Sequence, residues 1–227
     1  MQELFTQTLG PELKGLARAG GLAAIVMLVI MLAQVIIFII WPPPGSVEGF
    51  FSLFEQKPLL GLLSMDLLYL FNNALLVLIY LALYATLQRS APSAMLIALV
   101  LGLVGIAAYY ASNTAFEMLS LSRQYTAVVD DLQKAALIGA GQGMLAIYKG
   151  TAFMVYYVLN AVCLLIMAVV MLRSRVFSRA TGRLALVSAV LMSVPSTAGA
   201  IGMVFALASL VPWGIFLVLV ARRLLVW

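Results

Sequence analysis

Histidine is absent from this 227-residue chain, and cysteine occurs once, as Cys163. Without histidine there can be no Ser–His–Asp or Cys–His catalysis and no histidine ligation of zinc or haem. A single thiol cannot form an internal disulfide or a thiolate cluster, and the apolar run around Cys163 indicates an inert, packed side chain. The sequence therefore predicts neither a cofactor nor a metal site.

Charged residues are scarce as well. They make up 9% of the chain, whereas 65% is apolar. An average soluble domain has roughly 25% charged and 45–50% apolar residues. So few charges cannot cover the surface of a soluble globule, and disorder or a coiled coil is excluded for the same reason. The net charge of +5 needs no nucleic-acid partner, because basic residues also suit contact with anionic lipid headgroups.

Familiar catalytic motifs are missing too. The sequence contains neither a G-x-S-x-G nucleophile motif nor a G-x-x-x-x-G-K-[ST] phosphate loop. The run Gly139-Ala-Gly-Gln-Gly143 lacks the spacing of a phosphate loop, and no predicted strand precedes it. It therefore indicates helix packing through small residues.

What the chain has instead is a series of long uncharged runs. Six of them are long enough to cross a bilayer, which takes about 20 residues each. The predicted fold is all-α, a polytopic transmembrane helix bundle that forms one integral-membrane domain over residues 1–227. The predicted spans lie near 17–41, 60–87, 91–116, 150–172, 183–202 and 204–222.

The placement of lysine and arginine predicts the orientation of these spans. A cytoplasmic N-terminus puts nine of these residues on the inner side and four on the outer side. Because cytoplasmic loops are enriched in lysine and arginine, both termini are predicted to be cytoplasmic. The inner set is Lys14, Arg18, Arg89, Arg173, Arg175, Arg179, Arg183, Arg222 and Arg223, and the outer set is Lys57, Arg123, Lys134 and Lys149.

Two outer loops are each predicted to hold an amphipathic helix, at 46–56 and at 125–147. In the first, Phe50, Phe51 and Phe54 recur at three- and four-residue spacing. This spacing suggests a helix that lies on the membrane interface. In the second, apolar residues recur at i, i+3, i+4 and i+7 from Tyr125, and charged residues supply the opposite face.

Polar side chains within the spans form the candidate site, since such residues usually face a bundle interior or a wet cavity. In the predicted topology they all lie in the outer half of the bundle. Asp66 is the leading candidate because it is an acid within a span and shares a helical face with Tyr69 and Asn73. The predicted ligand-binding residues are Asp66, Tyr69, Asn73, Tyr109, Asn113, Glu117, Tyr156 and Asn160, with Lys149 as charge partner.

A purely structural role for the same residues is the competing interpretation. Interhelical hydrogen bonds from Asn and Tyr side chains stabilise membrane bundles without any ligand. A carboxylate at Asp66 or Glu117 could also pair with Lys149, which would satisfy both charges and bind nothing.

Three stretches resemble bacterial multi-pass membrane proteins of unknown function. They are Ser112-Asn-Thr-Ala-Phe-Glu117, Gly150-Thr-Ala-Phe153 with Tyr156-Tyr-Val-Leu-Asn160 after it, and Val194-Pro-Ser-Thr-Ala-Gly199. The similarity extends over most of the chain. It implies a location in the bacterial plasma membrane, and it assigns no role to any residue.

The sequence favours a non-enzymatic protein that binds or translocates a small molecule or an ion through a polar pocket. An accessory or structural subunit of a membrane complex is the first alternative. An intramembrane enzyme that uses the carboxylates of Asp66 and Glu117 is the second alternative. The predicted partners are membrane lipids, a small-molecule ligand, and other membrane subunits or a second copy of the chain.

Overall fold

The computed structural model describes residues 11–174 and 176–226, and these residues form ten α-helices and no strand. The predicted all-α class is therefore confirmed. Arg175 of the predicted inner set lies outside the described residues. The helices are α1 (Pro11–Ile40), α2 (Val47–Gln56), α3 (Pro58–Ser64), α4 (Leu67–Leu87), α5 (Pro92–Ser112), α6 (Ala115–Ala127), α7 (Asp131–Tyr148), α8 (Thr151–Ser174), α9 (Arg179–Met192) and α10 (Gly199–Leu225).

Five helical segments of the described chain are long and apolar enough to cross a membrane. A helix suits this environment because it satisfies its own backbone hydrogen bonds. The predicted spans at 17–41, 91–116 and 150–172 correspond to α1, α5 and α8. The five segments are Leu13–Ile40, Leu67–Leu87, Pro92–Ala127, Asp131–Ser174 and Gly199–Leu225.

The predicted span at 60–87 is not one continuous helix. α3 ends at Ser64 and α4 begins at Leu67, so Met65 and Asp66 form a break between them. Asp66 adopts a φ of 63°, in the left-handed region, which ends the α-helical path. Neither residue at the break is glycine or proline, so the sequence lacks the usual signal for an interruption.

The boundary between the predicted spans at 183–202 and 204–222 lies earlier in the chain than predicted, between residues 192 and 199. α9 ends at Met192 and α10 begins at Gly199. Pro195 lies between them and cannot donate a helical hydrogen bond, and Gly199 has a φ of 68°. α9 has 14 residues, about 21 Å at 1.5 Å per residue. That is shorter than the hydrocarbon core of about 30 Å.

The chain divides into two compact units. The first unit comprises Met1–Val29, Asn73–Ala107 and Val155–Trp227, and the second comprises Ile30–Asn72 and Ala108–Met154. α2, α3, α6 and α7 belong wholly to the second unit, while α9 and α10 belong wholly to the first.

α2 carries the core of the second unit. Ser46 caps this helix by accepting a hydrogen bond from the Gly49 amide at 3.1 Å. The predicted helix at 46–56 is therefore present, but its phenylalanines do not lie on a membrane interface. They are buried against α6 and α3, so that part of the prediction is wrong. The core residues are Val47, Phe50, Phe51, Phe54, Met65, Ala115 and Met118.

The helix predicted at 125–147 is divided between α6 and α7. α6 ends at Ala127, and Asp130 caps α7 by accepting a hydrogen bond from the Gln133 amide at 3.0 Å. Val129 stands in the connection and is 89% exposed. The predicted apolar stripe therefore spans two helices, because a strong N-cap restarts the helix inside it.

In the first unit, helix ends meet where glycine lets backbones approach closely. A Cβ at Gly20 in α1 would overlap Ala82 in α4 and would lie 3.5 Å from Leu224 in α10. The Arg223 Nε of α10 donates a hydrogen bond to the Val176 carbonyl, in the α8–α9 turn, at 3.1 Å. Residues from the first part of α1 and the last turns of α4 and α10 thus lie at the same end of this unit as the α8–α9 turn.

Candidate functional site

Asp66 is the centre of a polar cluster in the second unit. It is the only residue other than glycine with a positive φ among those that the structure describes. Such a backbone costs about 1 kcal/mol or more, although Asp tolerates it better than most residues. The Tyr148 hydroxyl donates a hydrogen bond to Asp66 Oδ2, and the Tyr109 hydroxyl is a second polar group that acts on this carboxyl group.

Three further side chains of this unit bind the backbone around the break. Asn113 Nδ2 donates to the Met65 carbonyl at 2.9 Å. Gln34 Nε2 donates to the Leu63 carbonyl at 3.2 Å, and the Tyr110 hydroxyl donates to the Leu70 carbonyl at 2.8 Å. Carbonyl groups at a helix interruption need such partners wherever water is scarce.

The Asp66 carboxyl group precedes the candidate span Leu67–Leu87 and is partly buried. Burial raises its pKa from 3.8 to about 6, although the nearby Tyr148 and Tyr109 hydroxyls favour the ionised form. None of the groups that act on this pKa is a cation. Among the described residues, the side chains that favour the ionised form of Asp66 are the hydroxyls of Tyr148 and Tyr109.

Several buried polar atoms near the break have no hydrogen-bond partner among the described residues. They are Ser64 Oγ, both amide atoms of Asn72, and Gln34 Oε1. Asn72 is 1% exposed and Gln34 is fully buried. An unsatisfied buried polar atom costs about 1–3 kcal/mol, so each needs an explanation such as a bound water, ion or ligand.

Three other predicted site residues, Tyr69, Glu117 and Lys149, also belong to this unit. Tyr69 is partly buried in the first turn of α4. Glu117 is exposed in the first turn of α6, and Lys149 is exposed where α7 ends. The predicted charge partner of Asp66 was Lys149. The side chain that donates a hydrogen bond to Asp66 is instead that of its neighbour in sequence, Tyr148.

The remaining predicted residues, Asn73, Tyr156 and Asn160, belong to the first unit. Asn160 Oδ1 accepts a hydrogen bond from the Tyr80 hydroxyl at 2.8 Å, and its Nδ2 donates to the Tyr156 carbonyl at 3.0 Å. Both ends of this amide are therefore used within the unit, in a bond that links α4 to α8. This is the structural arrangement expected of an interhelical hydrogen bond.

Sequence reasoning missed Tyr148, Gln34 and Ser64. Gln34 could have been found, because it is a lone amide in a long apolar helix. Tyr148 carried no comparable signal, since it was placed at the end of an outer amphipathic helix. Its contact with Asp66 depends on how α7 packs within the second unit, and that packing cannot be seen in local sequence.

The donor set limits the kind of ligand that the cluster can hold. Among the described residues no group of three or more His, Cys, Asp or Glu side chains could hold a metal ion. No protein-family model, curated protein or solved structure matches this chain. The chemistry of the site must therefore be argued from Asp66 and its neighbours.

Proposed function

We propose that this chain is a non-enzymatic multi-pass protein of the bacterial plasma membrane that binds or translocates a small molecule or an ion at the Asp66 cluster. The observation that carries the proposal is the carboxylate at the α3–α4 break. It is partly buried, stands on a left-handed backbone and is held by Tyr148. Interrupted helices are a recurrent way of building ion and substrate sites in membrane proteins.

A cationic ligand fits this carboxylate best. An ionised carboxylate in a poorly solvated position needs charge compensation, and the groups acting on Asp66 include no lysine or arginine. A proton, an alkali cation or an organic ammonium group would each supply the missing charge. The unpartnered atoms of Ser64 and Asn72 are further polar groups that a bound species could satisfy.

Contacts within the first unit support cytoplasmic positions for both chain ends. Gly21 of α1 packs against Leu225 of α10, with a Cβ at residue 21 coming within 2.9 Å of the Leu225 Cγ. Arg223 binds the α8–α9 turn at Val176. These ends carry many of the arginines, so the enrichment of lysine and arginine in cytoplasmic segments favours an inner location for all of them.

Six passes follow if α9 and the connection after it complete the fifth crossing. The Tyr157 hydroxyl, in the second turn of α8, hydrogen-bonds Ser196 Oγ in the α9–α10 connection at 3.2 Å. From Tyr157 to Ser174, where α8 ends, the helix rises about 26 Å. Because the α9–α10 connection lies beside Tyr157, α9 and this connection together would extend over most of the bilayer thickness. The 14 residues of α9 alone are too short to do so.

Thermal unfolding of the purified chain tests the site. We expect sodium, potassium or tetramethylammonium chloride to raise the unfolding temperature relative to a bulky cation at equal ionic strength. Asp66→Asn should abolish this effect, because asparagine keeps a hydrogen-bond acceptor and tolerates a positive φ but carries no charge.

Asp131→Asn is the matched control, since Asp131 is an exposed acid of the same unit. It should respond to cations as the wild type does. An equal response in Asp66→Asn and the wild type would reject the site. A wild-type protein that is indifferent to all of these cations, and to pH near 6, would reject the proposal as well.

A further inference from the structure

A groove of about 540 Å³ runs along the first unit between the start of α5 and the end of α8. Gly102 of α5 packs on Cys163 of α8, and Gly105 packs on Asn160. The two helices are therefore antiparallel, which places the beginning of one beside the end of the other. The groove has a volume within the range of ordinary ligand pockets, roughly 300–1,000 Å³.

The α8 wall of this groove changes from apolar to polar along its length. Leu165, Val169 and Arg173 form one stripe at i, i+4 and i+8, and residues 166, 170 and 174 form a parallel stripe of Ile, Val and Ser. Both stripes become polar at the end of α8. The opposite wall is formed by Ala94 in the first turn of α5, by Ala91 directly before this helix, and by Ser90, which lies at the polar end in the turn before α5.

The segments that form the first unit hold nine Lys and Arg residues against two acids, Glu3 and Glu12. Beyond residue 12, the segments that form the first unit contain no Asp or Glu. Arg173 is exposed, and Arg89 directly precedes Ser90. A guanidinium group binds phosphate through two parallel hydrogen bonds, so it is suited to an anionic partner from outside the chain.

We propose that this groove binds one anionic phospholipid. Its phosphate would lie against Arg173 with the Ser90 and Ser174 hydroxyls, and an acyl chain would follow the stripes from Val169 to Leu165. Both features of the groove are used by such a lipid, whereas free phosphate would use only the polar end. The groove lies in the first unit and includes no residue of the Asp66 cluster, so this inference does not depend on the proposed ligand site.

Native mass spectrometry of the intact purified chain, with phosphatidylglycerol or phosphatidylcholine added, tests this proposal. We expect the wild type to bind phosphatidylglycerol more tightly than phosphatidylcholine. Arg173→Gln should weaken phosphatidylglycerol binding at least five-fold, and Arg173→Lys should bind with an intermediate affinity, because lysine keeps the charge but loses the paired hydrogen bonds. Arg179→Gln is the matched control, because Arg179 is an exposed arginine at the start of α9 that does not line the groove.

Two further measurements distinguish binding of a lipid in the groove from nonspecific electrostatic attraction to basic residues. Ala94→Leu should weaken binding of both lipids because the larger side chain fills part of the groove that Ala94 lines, and inorganic phosphate should not displace phosphatidylglycerol. Equal losses in Arg173→Gln and Arg179→Gln would overturn the proposal, as would unchanged binding in Arg173→Gln. If inorganic phosphate displaced phosphatidylglycerol at a similar concentration, the polar end of the groove would be a site for free phosphate, and the phospholipid proposal would be overturned. If Ala94→Leu does not fold, the arginine variants decide the question.

Discussion

Asn113 is a single side chain that joins two helices to the break at Asp66. Its Nδ2 donates to the Met65 carbonyl at 2.9 Å, and its Oδ1 accepts from the Ala115 amide at 3.1 Å. The first bond gives a partner to a backbone carbonyl at the α3–α4 break, and the second gives a partner to the first backbone amide of α6. One amide thus holds the α3–α4 connection against α6, so this predicted ligand residue already has a structural task.

Replacing Asn113 should therefore destabilise the chain. Asn113→Ala leaves the Met65 carbonyl and the Ala115 amide without this partner, and we expect a loss of roughly 1–3 kcal/mol in the free energy of unfolding. Asn113→Asp keeps the acceptor for the Ala115 amide but sets a carboxylate oxygen against the Met65 carbonyl, so at neutral pH its loss should be at least as large. Unfolding in detergent measures both, with Gln56→Ala as control, since Gln56 makes an exposed bond to Ser52. A loss no larger than that of the control would contradict this role.

The raised pKa of Asp66 predicts a pH dependence of stability. The folded pKa, about 6, exceeds the ordinary value of 3.8, so the folded chain binds the proton more tightly than the unfolded chain does. The stabilisation is complete below the unfolded pKa and is lost as pH rises through the folded one. The loss from this group is at most about 3 kcal/mol.

In Asp66→Asn the free energy of unfolding should not fall in this way as pH rises. At neutral pH this variant should be more stable than the wild type, because it removes an uncompensated buried charge. Unfolding free energies recorded from pH 4 to about 7 would show the difference between the two curves. Asp131→Asn should keep the wild-type curve. Parallel curves for Asp66→Asn and the wild type would mean that Asp66 does not titrate in this range.

Sequence reasoning could identify Asp66 and Asn113, because polar side chains stand out in apolar runs. It could not identify what they contact. Asn113 binds a carbonyl exposed by an unpredicted break, and Tyr148 reaches Asp66 from 82 positions away. Such contacts depend on the fold of the second unit rather than on spacing along one helix.

At the scale of elements, α7 shows the same difference between pattern and packing. Its three glycines predicted close helix packing as a group. A Cβ at Gly141 would overlap Val47 of α2 and lie 3.2 Å from the Phe51 ring, whereas Gly139 and Gly143 have open space around them. Only the middle glycine therefore serves the packing of α2 against α7.

Alanine substitutions should separate these glycines. Gly141→Ala forces apart two packed helices at the stiff side chain of Val47, and we expect a loss of about 1–3 kcal/mol. Gly143→Ala and Gly139→Ala place a better helix former in open space, and each should add about 0.4–1 kcal/mol. Unfolding free energies of the three variants test this ordering. Equal effects at all three positions would contradict the assigned packing.

Element positions were predictable where apolar runs were long, and less so where helices end. α1, α5 and α8 follow from span length and composition. The break at Asp66 has no glycine or proline signal, while Pro195 and Gly199 do carry one. The phenylalanine face of α2 was read correctly as a helix, but its partner was not visible because an apolar face packs equally well on lipid or on protein.

At the scale of the whole molecule, charge differs between the two units. The segments of the first unit carry nine Lys and Arg residues against two acids, a net charge of +7. Those of the second carry four against six, a net charge of −2. The two values add to the +5 of the chain. The positive charge of the chain is therefore concentrated in the segments of the first unit.

Cysteine labelling of intact cells tests the proposed orientation directly. The native Cys163 is buried, so it leaves the background unlabelled. We expect Glu55→Cys and Asp131→Cys to react with a membrane-impermeant maleimide from outside. Ser90→Cys and Arg222→Cys should react only after the membrane is permeabilised, because both positions stand beside arginines for which we propose a cytoplasmic location. All four residues are exposed, so accessibility of the side chain does not bias the comparison.

The four variants also distinguish six passes from five. If α9 and its connection cross the membrane, Arg222→Cys shares the inner side with Ser90→Cys. If they do not, α10 alone crosses, and Arg222→Cys reacts from outside while Ser90→Cys stays protected. Labelling of Ser90→Cys in intact cells, with Glu55→Cys protected, would instead reverse the whole orientation. It would also place the polar side chains predicted for the outer half of the bundle, Asp66 among them, in its inner half.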